Sequence, residues 1–242
     1  MRLTKIILPT LILIAAFISC KKDSTPDASY TCTTCKTAPD AKAANDASNK
    51  GVYKGVIIGS SGTIMFDLQN NGTTITAVMV LDGVTVNLTA SVTMVAGQNY
   101  VAPFTGTLNG QPVSITFSVG ATGGNPVVTT SSIPGHPGST FTIIKETSTS
   151  LIEAFEGTYS TTKPEAGTFN LTLSRSLKLF GGRSRKNGDT TSNSFKGFIN
   201  TSNQLIDSSS GKSIATLTGD NLAASFVDGG GATVTVKGKR TF

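Results

Sequence analysis

Two cysteines separated by two residues are the first residues whose spacing could do chemistry. Cys32 and Cys35 have the Cys-x-x-Cys spacing of dithiol redox sites and of zinc sites. A redox site needs this pair beside a strand–helix unit, but here it lies in a Thr/Ser-rich stretch. A zinc site needs more ligands, and the single histidine, His136, is distant in sequence. We therefore favour a local disulfide formed outside the cytoplasm.

The remaining residues offer few catalytic combinations. A Ser-His-Asp triad would have to use His136, which lies in a predicted turn with no nucleophile elbow beside it. Paired carboxylates need two acids across a cleft, and residues 51–150 contain only Asp67, Asp82 and Glu146. The sequence thus predicts no catalytic residues, no metal site and no cofactor, and we expect the protein not to be an enzyme.

A basic cluster in the second half could bind anions. It consists of Arg175, Lys178, Arg183, Arg185 and Lys186. One interpretation is a face for phosphate-bearing headgroups or acidic glycans. The alternative, which we favour, is a solvated hairpin around Asn187-Gly188. Aromatic residues that could stack nucleobases are few nearby, so we expect no nucleic-acid partner.

The N-terminal residues have the pattern of an export signal. Arg2 and Lys5 precede an apolar run from Ile6 to Ile18, and the small residue Ser19 follows. The run is about 13 residues long, whereas a helix needs roughly 20 to span a bilayer. We therefore predict a signal peptide over residues 1–19 rather than a retained transmembrane helix.

The residues around Cys20 resemble a known processing site. Phe17-Ile18-Ser19-Cys20 resembles the lipobox of bacterial lipoproteins, although Phe17 stands where leucine is usual. The resemblance implies that the Cys20 thiol carries diacylglycerol and that Cys20 becomes the new N-terminus. Lys21-Lys22-Asp23 is similar to the charged tract of surface lipoproteins of Bacteroidetes-type bacteria. It implies a membrane partner and a place in the cell envelope, at the periplasmic or surface face of the outer membrane. An ordinary secretory signal is the alternative.

The composition is typical of an exported all-β protein. Charged residues make up 14% of the chain, there is no Trp, and the net charge of +6 is too mild to indicate nucleic acid. We predict a flexible tether over 20–50, a first β-meander over 51–147 and a second over 148–242. A short helix is expected within 39–48, and the Ser150–Glu153 capping box predicts a helical turn before the second meander.

Strand signals begin after residue 51. Ile64, Phe66 and Leu68 alternate with more polar neighbours, as in a half-buried strand. Asn71-Gly72, Asp82-Gly83 and Asn109-Gly110 are typical hairpin turns because both turn positions need positive φ. We predict about eight consecutive antiparallel strands in the first half. The chain would form one or two barrel or sandwich domains, with one core or two.

Several landmarks of the first half recur in the second. Gly51-Val-Tyr53 is echoed by Gly157-Thr-Tyr159, and Gly62–Leu68 by Gly167–Leu173. Phe104–Asn109 is likewise matched by Phe195–Asn200. We interpret this as a degenerate duplication, with chance recurrence as the alternative. A helical turn, Gly-x-Tyr and then up-and-down strands resembles the opening of calycin-type proteins such as lipocalins and avidins. That resemblance implies a barrel but no particular ligand.

These observations predict a lipid-anchored envelope protein with a non-catalytic binding role. Its partner would be a small apolar ligand, a glycan or another envelope protein. One alternative is a surface hydrolase with a site of Ser and Asp residues on loops. Another is an integral outer-membrane barrel, suggested by the alternating Ala232–Lys237 strand and terminal Phe242. An enclosed apolar cavity would favour the small ligand.

Overall fold

The fold is all-β, as the sequence predicts, and consists of two successive meanders. The computed structural model describes residues 30–58 and 62–242. The strands of the first half are β1 (Gly51–Ile58), β2 (Gly62–Leu68), β3 (Ile75–Leu81), β4 (Val84–Thr89), β5 (Tyr100–Leu108), β6 (Gln111–Val119), β7 (Val127–Ser132) and β8 (Thr140–Lys145). Those of the second half are β9 (Glu153–Thr161), β10 (Ala166–Ser174), β11 (Leu179–Lys186), β12 (Asn193–Ile199), β13 (Gln204–Asp207), β14 (Ser213–Thr218), β15 (Asn221–Val227) and β16 (Thr233–Arg240).

The first meander is a nearly closed barrel. Its eight strands follow the order β7-β6-β5-β4-β3-β2-β1-β8, so the last strand returns to pair with the first. All pairs are antiparallel, and the β1–β8 register runs from Tyr53↔Lys145 to Ile58↔Thr140. In the described chain no ladder joins β7 to β8. The prediction of eight consecutive antiparallel strands in this half is confirmed.

The second meander closes completely. β16 pairs with β9 from Val234↔Thr161 to Arg240↔Phe155, which completes a barrel of eight strands. Full closure gives every strand two neighbours and removes exposed sheet edges.

Tight turns set the register of the first barrel at the predicted places. Asp82 and Gly83 have φ of 48° and 81°, and Asn109 and Gly110 have φ of 50° and 77°. Positive φ at both central residues matches the right-handed twist of the flanking strands. These two predicted hairpins are confirmed.

Each half has its own hydrophobic core. The first core contains 21 buried apolar residues, and the second contains 10. Both barrels have eight strands, so the different numbers of buried residues reflect how completely side chains fill each interior. The two barrels lie side by side, because β1 packs on the outer face of β10, where the Asn170 side-chain amide donates to the carbonyl of Ile57.

Residues 30–50 differ from the expected flexible tether. They form an N-terminal segment that crosses one end of both barrels, beginning where the Tyr30 hydroxyl donates to the Arg240 carbonyl at 2.9 Å. Further along, the Ser148 hydroxyl donates to Asp46 at 2.7 Å, and the Asn49 side chain donates to the Gln98 carbonyl at 2.8 Å. The predicted helix is reduced to one 3-10 turn, Ala43–Asn45. Polar contacts to both barrels fix this segment, which composition alone did not reveal.

The helical turn predicted before the second barrel is wrong. Thr147 and Ser150 form an isolated bridge, and β9 begins directly at Glu153. Ser150 and Glu153 have other partners: the Ser150 hydroxyl contacts the Ser174 hydroxyl at 2.7 Å, and Glu153 pairs with Arg175 at 2.8 Å. Tertiary contacts therefore replace the capping box.

The repeat landmarks match only in part. Gly62–Leu68 and Gly167–Leu173 do fall on the second strand of their barrels. Phe104, however, lies on the fifth strand of the first barrel and Phe195 on the fourth of the second. Tyr53 lies near the start of β1, close to the N-terminal segment, and is fully buried. Tyr159 instead lies near the end of β9, at the opposite end of its barrel. The two tyrosines that the repeat would equate therefore have different surroundings.

Candidate ligand-binding cavity

Aromatic side chains fill the interior of the first barrel. Phe66 stacks on Phe117 with ring centroids 4.3 Å apart, and Phe104 meets Phe66 edge-on at 5.0 Å. Tyr53 meets Phe117 at 5.4 Å. Such offset and edge-to-face pairs are the favoured packing of aromatic rings. All four rings are buried, so this barrel has a solid interior.

The second barrel is solid at one end only. At its closed end, β9 begins at Glu153, β10 ends at Ser174 and β16 ends at Arg240. The inward residues near this end are buried apolar side chains: Phe155, Leu173, Phe180, Ile199, Leu217 and Leu222. They form a plug across the barrel.

A cavity of about 410 Å³ occupies the opposite, open end of the second barrel. Its wall is mainly apolar, and the apolar lining residues are Phe169, Leu171, Phe195, Leu205, Ile214, Ala215, Phe226, Val234 and Val236. Several inward residues that would be buried in a filled barrel, including Phe195, Phe226 and Val234, remain half-buried here. The volume lies within the roughly 300–1,000 Å³ of small-molecule sites.

Glycines on the inner wall help to keep this space open. A Cβ at Gly157 would lie 2.5 Å from the ring of Phe169, its cross-strand partner. A Cβ at Gly197 would lie 2.8 Å from the ring of Phe180. The rings therefore lie against bare backbone instead of projecting further into the barrel. Alternating glycine and aromatic positions on β9–β12 are the sequence signal that could have revealed the cavity.

An ionised carboxylate lies in the cavity wall. Asp207 is 9% exposed, and its Oδ2 accepts from the hydroxyls of Ser209 and Ser210 and from the Ser210 backbone N–H. The hydrogen bond from Ser209, followed by those from Ser210, lowers the pKa of Asp207 below its ordinary value of 3.8. Asp207 is thus negatively charged at neutral pH.

The rim of the cavity is polar. The Tyr159 hydroxyl donates to Glu165 at 3.4 Å, and Lys186 lies 3.8 Å from the other oxygen of Glu165. Burial, together with the negative charge of Glu165, raises the pKa of Tyr159. Tyr159 therefore keeps its proton at neutral pH and remains a donor at the mouth.

The five cations of the predicted anion site do not form one face. Strand alternation places Arg183 and Arg185 on the outside of β11, toward the first barrel, while Lys186 lies at the rim. Arg175 pairs with Glu153 at the closed end, where Lys178 lies in the β10–β11 turn. The cluster is contiguous in sequence but is divided among three places in the fold.

Arg183 and Arg185 belong to the contact between the barrels. Arg183 donates to the Ser192 hydroxyl at 3.3 Å, and Arg185 donates to the Gly138 carbonyl at 2.6 Å. The Ser192 hydroxyl also contacts that of Thr140 at 3.1 Å. These contacts join a turn of the second barrel to a loop of the first.

Two buried glutamates flank the linker between the barrels. Glu146 pairs with buried Lys54 at 2.7 Å and accepts the backbone N–H groups of Asp40 at 2.6 Å and Ile152 at 3.0 Å. Glu153 pairs with Arg175 and Arg240. Buried charges of this kind persist only when they are paired and hydrogen-bonded. Sequence reasoning missed them, because no local pattern marks a long-range ion pair.

The remaining candidate residues lie outside the cavity. Cys32 and Cys35 form a disulfide with Cα atoms 5.4 Å apart, and the Cys32 N–H donates to Asp220 at 2.8 Å. His136 lies 3.8 Å from Asp82, on a loop of the first barrel. Residues 1–19 and Cys20 lie outside the described residues, so the export signal and the lipid stay predictions.

Across residues 30–58 and 62–242, no helix has the length and hydropathy that a membrane crossing requires. The same residues bring no three His, Cys, Asp or Glu side chains together as a metal site.

Comparisons with known proteins identify no relative of this chain. No protein-family model, no curated protein and no solved structure matches the chain. The cavity of the second barrel is therefore interpreted from its own geometry and chemistry.

Proposed function

We propose that this protein is a lipid-anchored envelope protein that binds a small ligand in the open end of its second barrel. The observation that carries the proposal is the cavity of about 410 Å³ at the open end of the second barrel, next to the plug. The interior of the first barrel is instead filled by aromatic side chains. An apolar cavity with a few polar groups at its mouth is the usual form of a small-molecule site. The anchor is proposed from the residues around Cys20.

The lining favours an amphipathic ligand. Its apolar body would pack against Phe195, Phe226 and Val236. A polar end that carries a cation or hydrogen-bond donors would face Asp207, because an ionised carboxylate only accepts hydrogen bonds. An anionic end at that place would be repelled.

The chemistry of the cavity favours binding over hydrolysis. The Ser209 hydroxyl donates to Asp207. A hydrolase site on loops would need a serine and an acid paired in this way. A general base works best with a pKa near the operating pH, and the pKa of Asp207 is instead lowered. Asp207 is therefore a poor base for activating that hydroxyl.

The outer wall of the second barrel favours a tethered protein over an integral one. Its exposed outward residues are largely polar, including Thr158, Thr168, Thr216, Ser225 and Lys237. A barrel that spans a membrane presents an apolar band to lipid. These polar positions support the proposal that acyl chains on Cys20, rather than the barrel wall, hold the protein at the membrane.

A fluorescence titration tests the binding site. The neutral apolar dye N-phenylnaphthylamine should bind to the protein with enhanced emission. Ser184 lines the cavity, so Ser184→Phe should fill the mouth and weaken binding about tenfold, which corresponds to roughly 1.4 kcal/mol. Ser225 is exposed on the outer wall, and Ser225→Phe is the matched control. Equal binding by the two variants would place the dye elsewhere and contradict the proposal.

The anchor has a separate test. Cells fed radiolabelled palmitate should label the protein with native Cys20 and fail to label Cys20→Ala. Equal labelling of both proteins would refute lipidation at this residue.

A further inference from the structure

The N-terminal segment leaves the fold at a defined end of the molecule. Tyr30 is held at the closed end of the second barrel, where its hydroxyl donates to Arg240 and its carbonyl accepts from Asn221, both at 2.9 Å. From there the segment crosses the adjacent end of the first barrel, where Asn70 accepts the backbone N–H of Lys42 at 3.1 Å. We refer to this shared end of the two barrels as the tether face.

Exposed apolar side chains are concentrated on the tether face. Ten large hydrophobic residues are exposed in the described chain, and seven of them lie at this end. In the second barrel these are Leu177, Leu179 and Phe198, and in the first they are Val92, Val95, Val101 and Val127. Only Val80, Val84 and Val227 of the ten lie at the opposite end. The asymmetry gives the molecule one apolar end.

The strongest apolar patch lies at the same end of the second barrel as Tyr30, on the opposite side of its wall. Leu179 and Phe198 are direct cross-strand partners on the outer face of β11 and β12, and they are 53% and 46% exposed. Leu177, 55% exposed, lies in the preceding turn, which Arg175 joins to the Gly219 carbonyl at 2.7 Å. Adjacent exposed apolar residues of this kind mark an interaction surface.

The charges of the tether face suit an anionic surface. Lys42, Lys178 and Lys239 are exposed at this end. The carboxylates nearby have partners within the protein: Glu146 and Glu153 in buried ion pairs, Asp40 with Lys54, Asp220 with Arg240, and Asp46 with the Ser148 hydroxyl. Lysines near an anionic leaflet are attracted to its surface.

The reach of the proposed anchor selects the partner. Cys20 precedes Tyr30 by ten residues, which span at most about 36 Å when fully extended. We infer that the tether face rests on the lipid bilayer, with Leu177, Leu179 and Phe198 in the headgroup region and the lysines against anionic lipids. This inference rests on the proposed lipid anchor. It directs the mouth of the cavity away from the membrane.

A tryptophan reporter tests this orientation, because the chain contains no Trp of its own. Leu179→Trp places a reporter on the tether face, and Val227→Trp places a matched reporter at the opposite end, where Val227 is 58% exposed. Each full-length lipidated variant is reconstituted with vesicles of phosphatidylethanolamine and phosphatidylglycerol. Brominated lipids then quench the fluorescence of any tryptophan that enters the bilayer surface.

The expected result is strong quenching and a blue shift for Leu179→Trp, and neither for Val227→Trp. Flotation of the same samples separates the two proposals. A protein that floats with the vesicles while Leu179→Trp stays unquenched keeps its anchor and contradicts the tether face. A protein that does not float contradicts the anchor, and the membrane contact with it. Equal quenching of both reporters would show that neither end is preferred.

Discussion

The two barrels have the same strand number and the same up-and-down order but differ in what they contain. The first barrel stacks Phe66, Phe104 and Phe117 along its axis and buries about twice as many apolar residues as the second. The second confines its plug to one end and places glycines on the wall at the other. A barrel of eight strands can be filled by side chains or can hold one small ligand. The difference supports our proposal that the first barrel supplies stability and the second supplies the binding site.

The largest expected effect comes from emptying the filled barrel. Phe117→Ala removes a ring that packs on Tyr53, Phe66 and Phe104, and should lower the free energy of unfolding by about 3–5 kcal/mol. Phe226→Ala removes a phenyl ring that is half-buried in the cavity wall, and it should lower the free energy of unfolding by about 1 kcal/mol. Urea unfolding followed by circular dichroism measures both. Equal losses would mean that the second barrel is packed as tightly as the first.

Two glutamate variants extend this comparison, one in a buried ion pair and one at the solvated rim of the cavity. Glu146→Gln leaves buried Lys54 with the partly exposed Asp40 as its remaining carboxylate partner and should destabilise the protein by about 3 kcal/mol. Glu165→Gln, at the solvated rim of the cavity, should change stability by less than about 1 kcal/mol. Thermal unfolding of the two variants at neutral pH compares them. If Glu165→Gln were the more damaging change, the rim would have a structural role that we do not assign to it.

A glycine pair tests the origin of the open wall. Gly157→Ala should cost about 1–3 kcal/mol, because the new methyl group presses on the backbone carbonyl of Lys237 and forces the ring of Phe169 to move. It should also weaken dye binding, since that ring lines the cavity. Gly181→Ala on the outer face of β11 meets its nearest atom only at 4.0 Å and should be nearly neutral. Unchanged stability and binding in Gly157→Ala would remove the wall glycines from our account of the cavity.

The smallest expected effect is a dependence on pH. Asp207 has a lowered pKa in the folded protein, so its hydrogen bonds stabilise the fold above the ordinary value of 3.8. This stabilisation is lost as the pH falls through that value and then through the lower pKa of the folded state. Asp207→Asn should therefore lose less stability than the native protein on acidification over that range. Urea unfolding of the two proteins at neutral pH and after acidification measures the difference, and an equal loss in both would contradict the assignment to Asp207.

Local signals predicted the strands but not the interior of the barrels. Alternating residues such as Ile64, Phe66 and Leu68 and the turns at Asp82 and Asn109 fixed the meander, because both are short-range effects. The ion pairs of Lys54 and Arg240 could not be predicted, because their partners are distant in sequence. The cavity was missed for a similar reason, since its volume depends on which rings lie over which glycines across a closed barrel.

The basic cluster shows how a contiguous motif can be divided by strand geometry. Successive residues of a strand point to opposite faces, so Arg185 and Lys186 separate at once into an interdomain contact and a rim residue. Arg175 is separated further, because it follows the end of β10 at the closed end, beside Glu153, and β11 then carries the later cations toward the open end. Charge density along the sequence therefore overstated charge density on the surface.

The pairing of β16 with β9 constrains the order in which the two barrels can be completed. In a chain made from its N-terminus, residues 153–161 lack their second neighbour until Thr233–Arg240 has been made, because β16 is the strand that pairs with the free edge of β9. The first barrel has no such dependence on later sequence, since β8 precedes the whole second half. Synthesis would thus complete every strand pair of the first barrel before the second barrel could close. The first barrel keeps its two edges at β7 and β8, whereas the open edges of the second barrel exist only until β16 is in place.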